Sequence, residues 1–70
     1  MNINKAVDKA FETKSLKEIA DAPVEALSGV TAADAQALKT ALGITTVRQL
    51  GTNKFFLWAQ AIVALSEQSD

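Results

Sequence analysis

Residues 27–50 read LSGVTAADAQALKTALGITTVRQL, and the positions of threonine, glycine and their polar partners in this stretch decide the fold. Thr31 is followed three residues later by Asp34, a pair that can satisfy the free backbone N–H groups at a helix start. Gly43 stands where a left-handed residue commonly ends a helix. The stretch predicts a helix from about residue 32 to residue 42. Its spacing gives this helix an apolar face for burial: Ala35, Leu38, Ala41 and Leu42.

The same capping pattern recurs directly downstream. Thr46 and Gln49 have the spacing of Thr31 and Asp34, and they predict a one-turn helix that ends at Gly51. The helix after it starts from Thr52 or Asn53, both suitable N-cap residues. Three consecutive helix starts can therefore be identified from side-chain chemistry alone.

The residues before this stretch also have helical spacing. Charged and apolar residues alternate so that the apolar ones share one face: Ile3, Val7, Ala10 and Phe11. This pattern predicts an amphipathic helix from about Ile3 to Thr13. The series Lys5, Lys9, Lys14 and Lys17 is interleaved with acidic residues, so we interpret it as a solvated face rather than a basic binding strip.

Two shorter helices are predicted between residues 15 and 27. Ser15 and Glu18 form a third capping pair, which opens a short helix with Leu16 and Ile19 directed inward. Proline favours the first turn of a helix, so the range Pro23–Leu27 is predicted as another short helix.

The C-terminal helix, from about Lys54 to Ser66, is apolar around nearly its whole circumference. One face carries a regularly spaced row, Phe55, Trp58, Ile62 and Leu65. We expect such a row to be core, with Trp58 as a buried anchor. Three residues on other faces are then candidates for an exposed contact with a protein partner or a second copy: Phe56, Leu57 and Val63. The alternative is that the N-terminal helix covers them.

No segment alternates with the period of a strand, so the predicted class is all-α. We expect a single helical domain over residues 1–70, a compact bundle of about five short helices with a polar, frayed tail from about Glu67. A shift of 31 positions aligns the first half of the chain weakly with the second, for example Ser15 with Thr46. A pseudo-two-fold repeat would explain this similarity, as would the chance alignment of two alanine-rich helices.

The composition argues against catalysis. The chain has no His, Cys or Tyr, so the usual general bases, thiol nucleophiles and nitrogen or sulfur metal ligands are missing. Ser15, Thr31 and Thr46 each have a role as a cap. We therefore expect no enzyme activity, no cofactor, no metal and no small-molecule substrate.

The predicted location is the cytoplasm, without membrane contact. Residues 1–11 have no apolar core typical of a signal peptide. The longest apolar run, from Phe55 to Leu65, is interrupted by Gln60 and is shorter than the roughly 20 residues that span a bilayer.

The hairpin and the segment after it carry a family resemblance. Leu-Ser-Gly-Val-Thr at 27–31 and Leu-Gly-Ile-Thr-Thr-Val-Arg-Gln-Leu at 42–50 resemble the helix-hairpin-helix superfamily. In that family a Leu-x-Gly-hydrophobic-Gly turn joins two helices, and a Gly-Ile-x-Thr-Val-x-x-Leu segment often follows. The pattern is similar to small tandem modules at the N-terminus of recombinases and at the C-terminus of the bacterial polymerase α subunit.

The resemblance implies that backbone N–H groups of the hairpin contact a DNA phosphate without reading sequence. Carried over to this chain, the residues that would contact DNA are Gly29, Val30, Thr31, Lys39, Arg48 and Lys54. Thr31 stands where the family has its second glycine, and Asp34 adds a negative charge in the first helical turn. Both departures are typical of a hairpin retained for structure.

Two functions remain open from the sequence. The first is a non-catalytic interaction module whose contact surface involves the C-terminal helix, with self-association as one form. The alternative is sequence-nonspecific DNA binding through Gly29 to Thr31, against which the net charge of −1 argues mildly.

Overall fold

The computed structural model describes residues 3–68, which form an all-α domain. The α-helices are α1 (Ile3–Ala6), α2 (Leu16–Ala20), α3 (Ala32–Leu42), α4 (Val47–Thr52) and α5 (Lys54–Ser66). Two 3₁₀ turns, Lys9–Phe11 and Val24–Ala26, lie between them. Within this range, β-structure is limited to two isolated bridges. The last residues of the predicted polar tail, Ser69 and Asp70, lie outside the described residues.

All three predicted capping boxes are confirmed. Glu18 N donates to Ser15 Oγ at 3.1 Å, and Ser15 N donates in return to the Glu18 carboxylate at 3.0 Å. The same exchange joins Thr31 with Asp34 ahead of α3, and Thr46 with Gln49 ahead of α4. Because each box satisfies two otherwise free N–H groups, the helix starts follow directly from local sequence.

The glycine positions were predicted with mixed success. Gly43 takes a left-handed conformation with φ 69°, and α3 ends there as predicted. Gly51, by contrast, does not end α4. It lies inside that helix, and α4 continues to Thr52, whose hydroxyl donates to the carbonyl of Arg48 at 2.8 Å.

The predicted N-terminal helix from Ile3 to Thr13 is wrong, because the chain leaves the helix at Val7. Val7 pairs with Leu27 in an antiparallel bridge, in which Asp8 N donates to Ala26 O at 2.8 Å and Ser28 N donates to Ala6 O at 2.9 Å. These two bonds replace helical bonds, and Val7 becomes buried. The amphipathic pattern is present in the sequence, but the long-range backbone pairing of Val7 with Leu27 ends the helix early.

A second bridge, between Pro23 and Thr46, joins the two halves of the chain. Val24 N donates to Thr45 O at 2.9 Å, and Val47 N donates to Ala22 O at 3.0 Å. Residues 22–28 thus lie between the N-terminal segment and the 44–47 segment, with only a 3₁₀ turn where a helix from Pro23 to Leu27 was predicted. The core forms around this central segment and consists of Val7, Ile19, Ala22, Val24, Ala26 and Ile44.

Burial differs from the prediction on two helices. Leu16 is 67% exposed although Ile19 of the same helix is buried as expected. On α3 no residue is buried, and Leu42 is exposed. Leu16 and Leu42 both lie outside the core, to which α2 contributes Ile19 and α3 contributes no buried side chain.

The molecule is less compact than the bundle predicted from sequence. Its radius of gyration is 13.6 Å, whereas a compact chain of this length has about 11 Å. The principal extents are 43 × 30 × 19 Å. α5 packs mainly on α4, and all of its residues except Phe56 are exposed.

Candidate functional site

The candidate site is α5, whose start is determined by Asn53. The Asn53 side-chain oxygen accepts hydrogen bonds from Phe55 N at 2.9 Å and Phe56 N at 3.4 Å. The helix is therefore formed within the monomer before any partner binds. No residue from 54 to 66 is fully buried, although most of them are apolar.

The row Phe55, Trp58, Ile62 and Leu65, here called the outer stripe, faces away from α4. Phe55 is 52% exposed, Trp58 58% and Ile62 65%. The expectation that this row is core and that Trp58 is a buried anchor is therefore wrong. The helix meets α4 through its Phe56 side, which is the opposite face, and hydropathy alone could not distinguish two apolar faces.

One end of the outer stripe is an aromatic cluster with a lysine. The Phe55 and Trp58 rings meet edge to face, with centroids 5.9 Å apart and planes at 85°. Lys54 Nζ lies 5.3 Å from the Phe55 centroid and 5.7 Å from the Trp58 centroid. Edge-to-face aromatic packing and cation–π attraction both restrict side-chain freedom, so this end of the stripe is preorganised for contact.

The three residues predicted to contact a partner lie beside the outer stripe on α5. Phe56 is half-buried and Leu57 is 47% exposed. Both line an apolar groove between α4 and α5, whose other walls are Leu27, Val47, Leu50, Gly51 and Gln60. Val63 is 56% exposed and lines a neighbouring groove along α5. These residues flank the outer stripe and do not belong to it.

The hairpin residues predicted to bind phosphate already use several of their donors internally. Gly29 has φ 94°, and Val30 N donates to Leu27 O at 3.1 Å. Thr31 N donates to the Asp34 carboxylate at 3.1 Å, and Asp34 N donates to the Thr31 hydroxyl at 3.1 Å. The Asp34 carboxylate thus occupies the position at the helix N-terminus where an anion would otherwise interact with the helix dipole.

The three cations predicted to assist the hairpin have different neighbours. Arg48 Nε donates to Asp21 Oδ1 at 2.8 Å, and this ion pair raises the pKa of the Arg48 guanidinium. Lys39 borders a shallow cavity that also includes Glu25. Lys54 lies over the rings of the outer stripe. Two of the three cations therefore have an acidic side chain in their surroundings.

Within residues 3–68 there is no group of three or more acidic side chains that could hold a metal ion, and no helix long and apolar enough to cross a bilayer. No family model matches the chain, and no curated protein or solved structure is significantly similar to it.

Proposed function

We propose that this chain is a non-catalytic protein-interaction module that associates through the outer stripe of α5, with a second copy of itself as the first partner to test. One observation carries the proposal. The chain's single Trp and one of its three Phe residues lie more than half exposed on one side of a preformed helix. Contiguous apolar patches of this kind on soluble domains mark interaction sites.

The residue types support a protein partner. Trp and Phe are enriched in the centres of protein interfaces, where they contribute much of the binding energy. Their rings already contact each other in the monomer, so little side-chain entropy is lost when a partner binds. An isolated exposed leucine such as Leu16 is neither an aromatic residue nor held by a contact between rings.

The total surface supports the same conclusion. The chain exposes 5336 Å², whereas a compact monomer of this size exposes about 4,200 Å². The surplus of about 1,100 Å² exceeds the roughly 800 Å² that each partner buries in a standard interface. Association through α5 would remove part of this surplus surface from solvent.

In this proposal the helix-hairpin-helix-like centre has a structural role. The Leu27–Thr31 hairpin joins the Val24–Ala26 turn to α3, and its capping box needs no bound anion. DNA binding through this hairpin stays a prediction, and the internal bonds of Thr31 and Asp34 give it no additional support.

Sedimentation velocity over a concentration series tests the proposal. We expect reversible association. Ile62→Asp should abolish it, because burying a carboxylate in an apolar interface without an opposite charge is strongly unfavourable. Leu16→Asp is the matched control, since Leu16 is 67% exposed and Ile62 65%, but Leu16 lies on α2. Trp58 fluorescence should shift to the blue as the protein associates. A protein that stays monomeric up to millimolar concentration, or equal effects of both variants, would contradict the proposal.

A further inference from the structure

The outer stripe has the spacing of a coiled-coil seam. Its members are separated by three, four and three residues, which is the a and d pattern of two heptads. This average period of 3.5 keeps an apolar row facing one straight partner helix over its whole length. An irregular protein surface has no such requirement. The spacing therefore favours another helix as the occupant.

The charges of α5 indicate which helix that is. Lys54 is the first residue of α5, the first turn contains no acidic residue and the last turn no basic one, while Glu67 follows as the C-cap. This distribution is the reverse of what the helix dipole favours, because cations stabilise C-termini and anions stabilise N-termini. These charges do not stabilise an isolated α5. They would stabilise a pair of α5 helices that run in opposite directions, because each Lys54 would then lie near the C-terminus of the other helix.

We infer that α5 pairs with the α5 of a second copy in antiparallel orientation, around a two-fold axis level with Gln60; this rests on the proposed function of the outer stripe. Each Lys54 then lies beside the C-terminal turn of the other α5, and the two helix dipoles oppose each other. A parallel pair would bring the two Lys54 side chains together and align the dipoles. The chain is thus electrostatically complementary to itself in one orientation only.

The side-chain sizes fit the same orientation. Antiparallel pairing places Trp58 of one copy opposite Ile62 of the other, and Phe55 opposite Leu65. Each layer then combines an aromatic with an aliphatic side chain, and a two-fold interface repeats each layer once. A parallel pair would instead place Trp58 against Trp58. The positions beside the stripe are Ala59 and Ala61, which are small enough to let two helix axes approach closely.

A membrane surface is the main competing occupant, and the charges argue against it. Helices that bind in a membrane interface carry several Lys or Arg residues on a polar face. α5 has Lys54 as its single cation, and its other polar side chains are Gln60 and Ser66. The net charge of −1 also provides no attraction to anionic lipids.

The paired region is short, so we expect a dissociation constant in the micromolar range. α5 has 13 residues, or about 20 Å of helix, and presents four layers. Interfaces at the small end of the size range are typically weak or transient. The Asn53 cap and the contact with α4 nevertheless form the helix in advance, so dimerisation does not have to include the cost of folding α5.

Paramagnetic labelling tests the orientation. The chain has no Cys, so a nitroxide on Gln68→Cys marks the end of α5 alone. Mixed with unlabelled, nitrogen-15-enriched wild-type protein, it should broaden the amide signals of Lys54 to Phe56 in the other copy. Broadening centred on Leu65 to Gln68 would show a parallel pair and overturn the inference, while leaving the proposed interaction surface intact. Sedimentation without any association would remove both.

A charge variant gives an independent measurement. Lys54→Gln should raise the dimer dissociation constant by about threefold to thirtyfold, because two favourable lysine–helix terminus interactions are lost per dimer. Lys39→Gln on α3 is the matched control and should change it little. An unchanged or tighter dimer in Lys54→Gln would contradict the antiparallel arrangement. A blue shift of Trp58 with anionic vesicles, in a protein that does not self-associate, would replace the second copy with a membrane.

Discussion

Ile44 and Ile62 are both isoleucines, but they lie in two regions of one small domain and have opposite environments. Ile44 is 2% exposed beside the central segment, whereas Ile62 is 65% exposed on α5. The contrast extends to the regions as a whole. The core contains Val, Ile and Ala, while the chain's only Trp lies outside it. The most hydrophobic segment of this sequence is therefore not its core.

The reason lies in the backbone. Residues 22–28 exchange hydrogen bonds with both the N-terminal segment and residues 45–47, so these three stretches lie close together. The side chains of residues 22–28 that are buried there are Ala22, Val24 and Ala26. All the buried residues of this core precede Asn53 in the chain. α5 begins after Asn53 and contacts mainly α4. The apolar side chains of α5 therefore contribute no buried residue to this core.

The largest expected effect is a comparison of Ile44→Ala with Ile62→Ala. Ile44→Ala should lower the free energy of unfolding by about 2–4 kcal/mol, because it leaves a cavity in a closed core. Ile62→Ala should change it by less than about 0.5 kcal/mol in dilute monomer, since most of that side chain already contacts water. Urea unfolding at low protein concentration, followed by circular dichroism, measures both.

A small domain has little stability to lose, and Ile44→Ala could leave it unfolded. Ile44→Val then serves instead, with an expected loss of about 0.5–1.5 kcal/mol. If Ile62→Ala proved as destabilising as the Ile44 variants in the monomer, α5 would have to be part of the core and the comparison would fail.

The next largest effect concerns two glycines, whose substitution by alanine should change the free energy of unfolding in opposite directions. Gly43→Ala should destabilise by about 1–2 kcal/mol, because alanine is strained in the left-handed conformation that ends α3. Gly51→Ala should stabilise by about 0.4–1 kcal/mol, because Gly51 lies in α4 without a positive φ and nothing within 4 Å would meet the added carbon. Thermal melts of both variants measure the difference. Destabilisation by Gly51→Ala would show that α4 is packed more tightly on that side.

Lowering the pH should destabilise α2 before it destabilises α5. Hydrogen bonds from the Ser15 backbone and hydroxyl lower the pKa of Glu18 below its ordinary 4.5. A lowered pKa means that the capping box of α2 stabilises the fold above this value and loses its effect as the pH falls through the folded-state pKa. The cap of α5 is Asn53, which does not titrate.

Amide hydrogen exchange between roughly pH 5 and pH 3, corrected for intrinsic rates, measures this difference. We expect protection to fall in α2 before α5, and Glu18→Gln should flatten the pH dependence in α2. Equal loss of protection in both helices with either side chain would show that Glu18 has no local role.

The smallest expected effect is on the hairpin when duplex DNA is added at low salt. We expect the amide signals of Gly29 to Thr31 to remain in place, because Thr31 already donates to Asp34 and Arg48 is paired with Asp21. A saturable shift that fades as salt rises would instead support the DNA alternative. The same spectra, recorded at two protein concentrations, report whether α5 signals respond to self-association.

Local interactions explain which parts of the fold could be predicted. The boundaries of α3 and α5 agree with the predicted ones, because a cap is a contact between residues two or three positions apart. The break at Val7 could not be predicted, since its cause is Leu27, twenty residues away. The candidate site differs in detail: the sequence indicated α5 and predicted contact through Phe56, Leu57 and Val63, which stays a prediction, whereas the exposure of Trp58 was not expected.

By itself, the sequence determined the helix starts at Ser15, Thr31 and Thr46, the turn at Gly43 and the apolar character of α5, because each depends on side chains close in the chain. Only the tertiary structure decided which side of α5 meets α4, and that all of its residues except Phe56 stay exposed. An apolar helix has no preferred inward side until a neighbour covers one, and here α4 covers the Phe56 side. That choice leaves Trp58 and Ile62 in solvent, where a second copy could bury them.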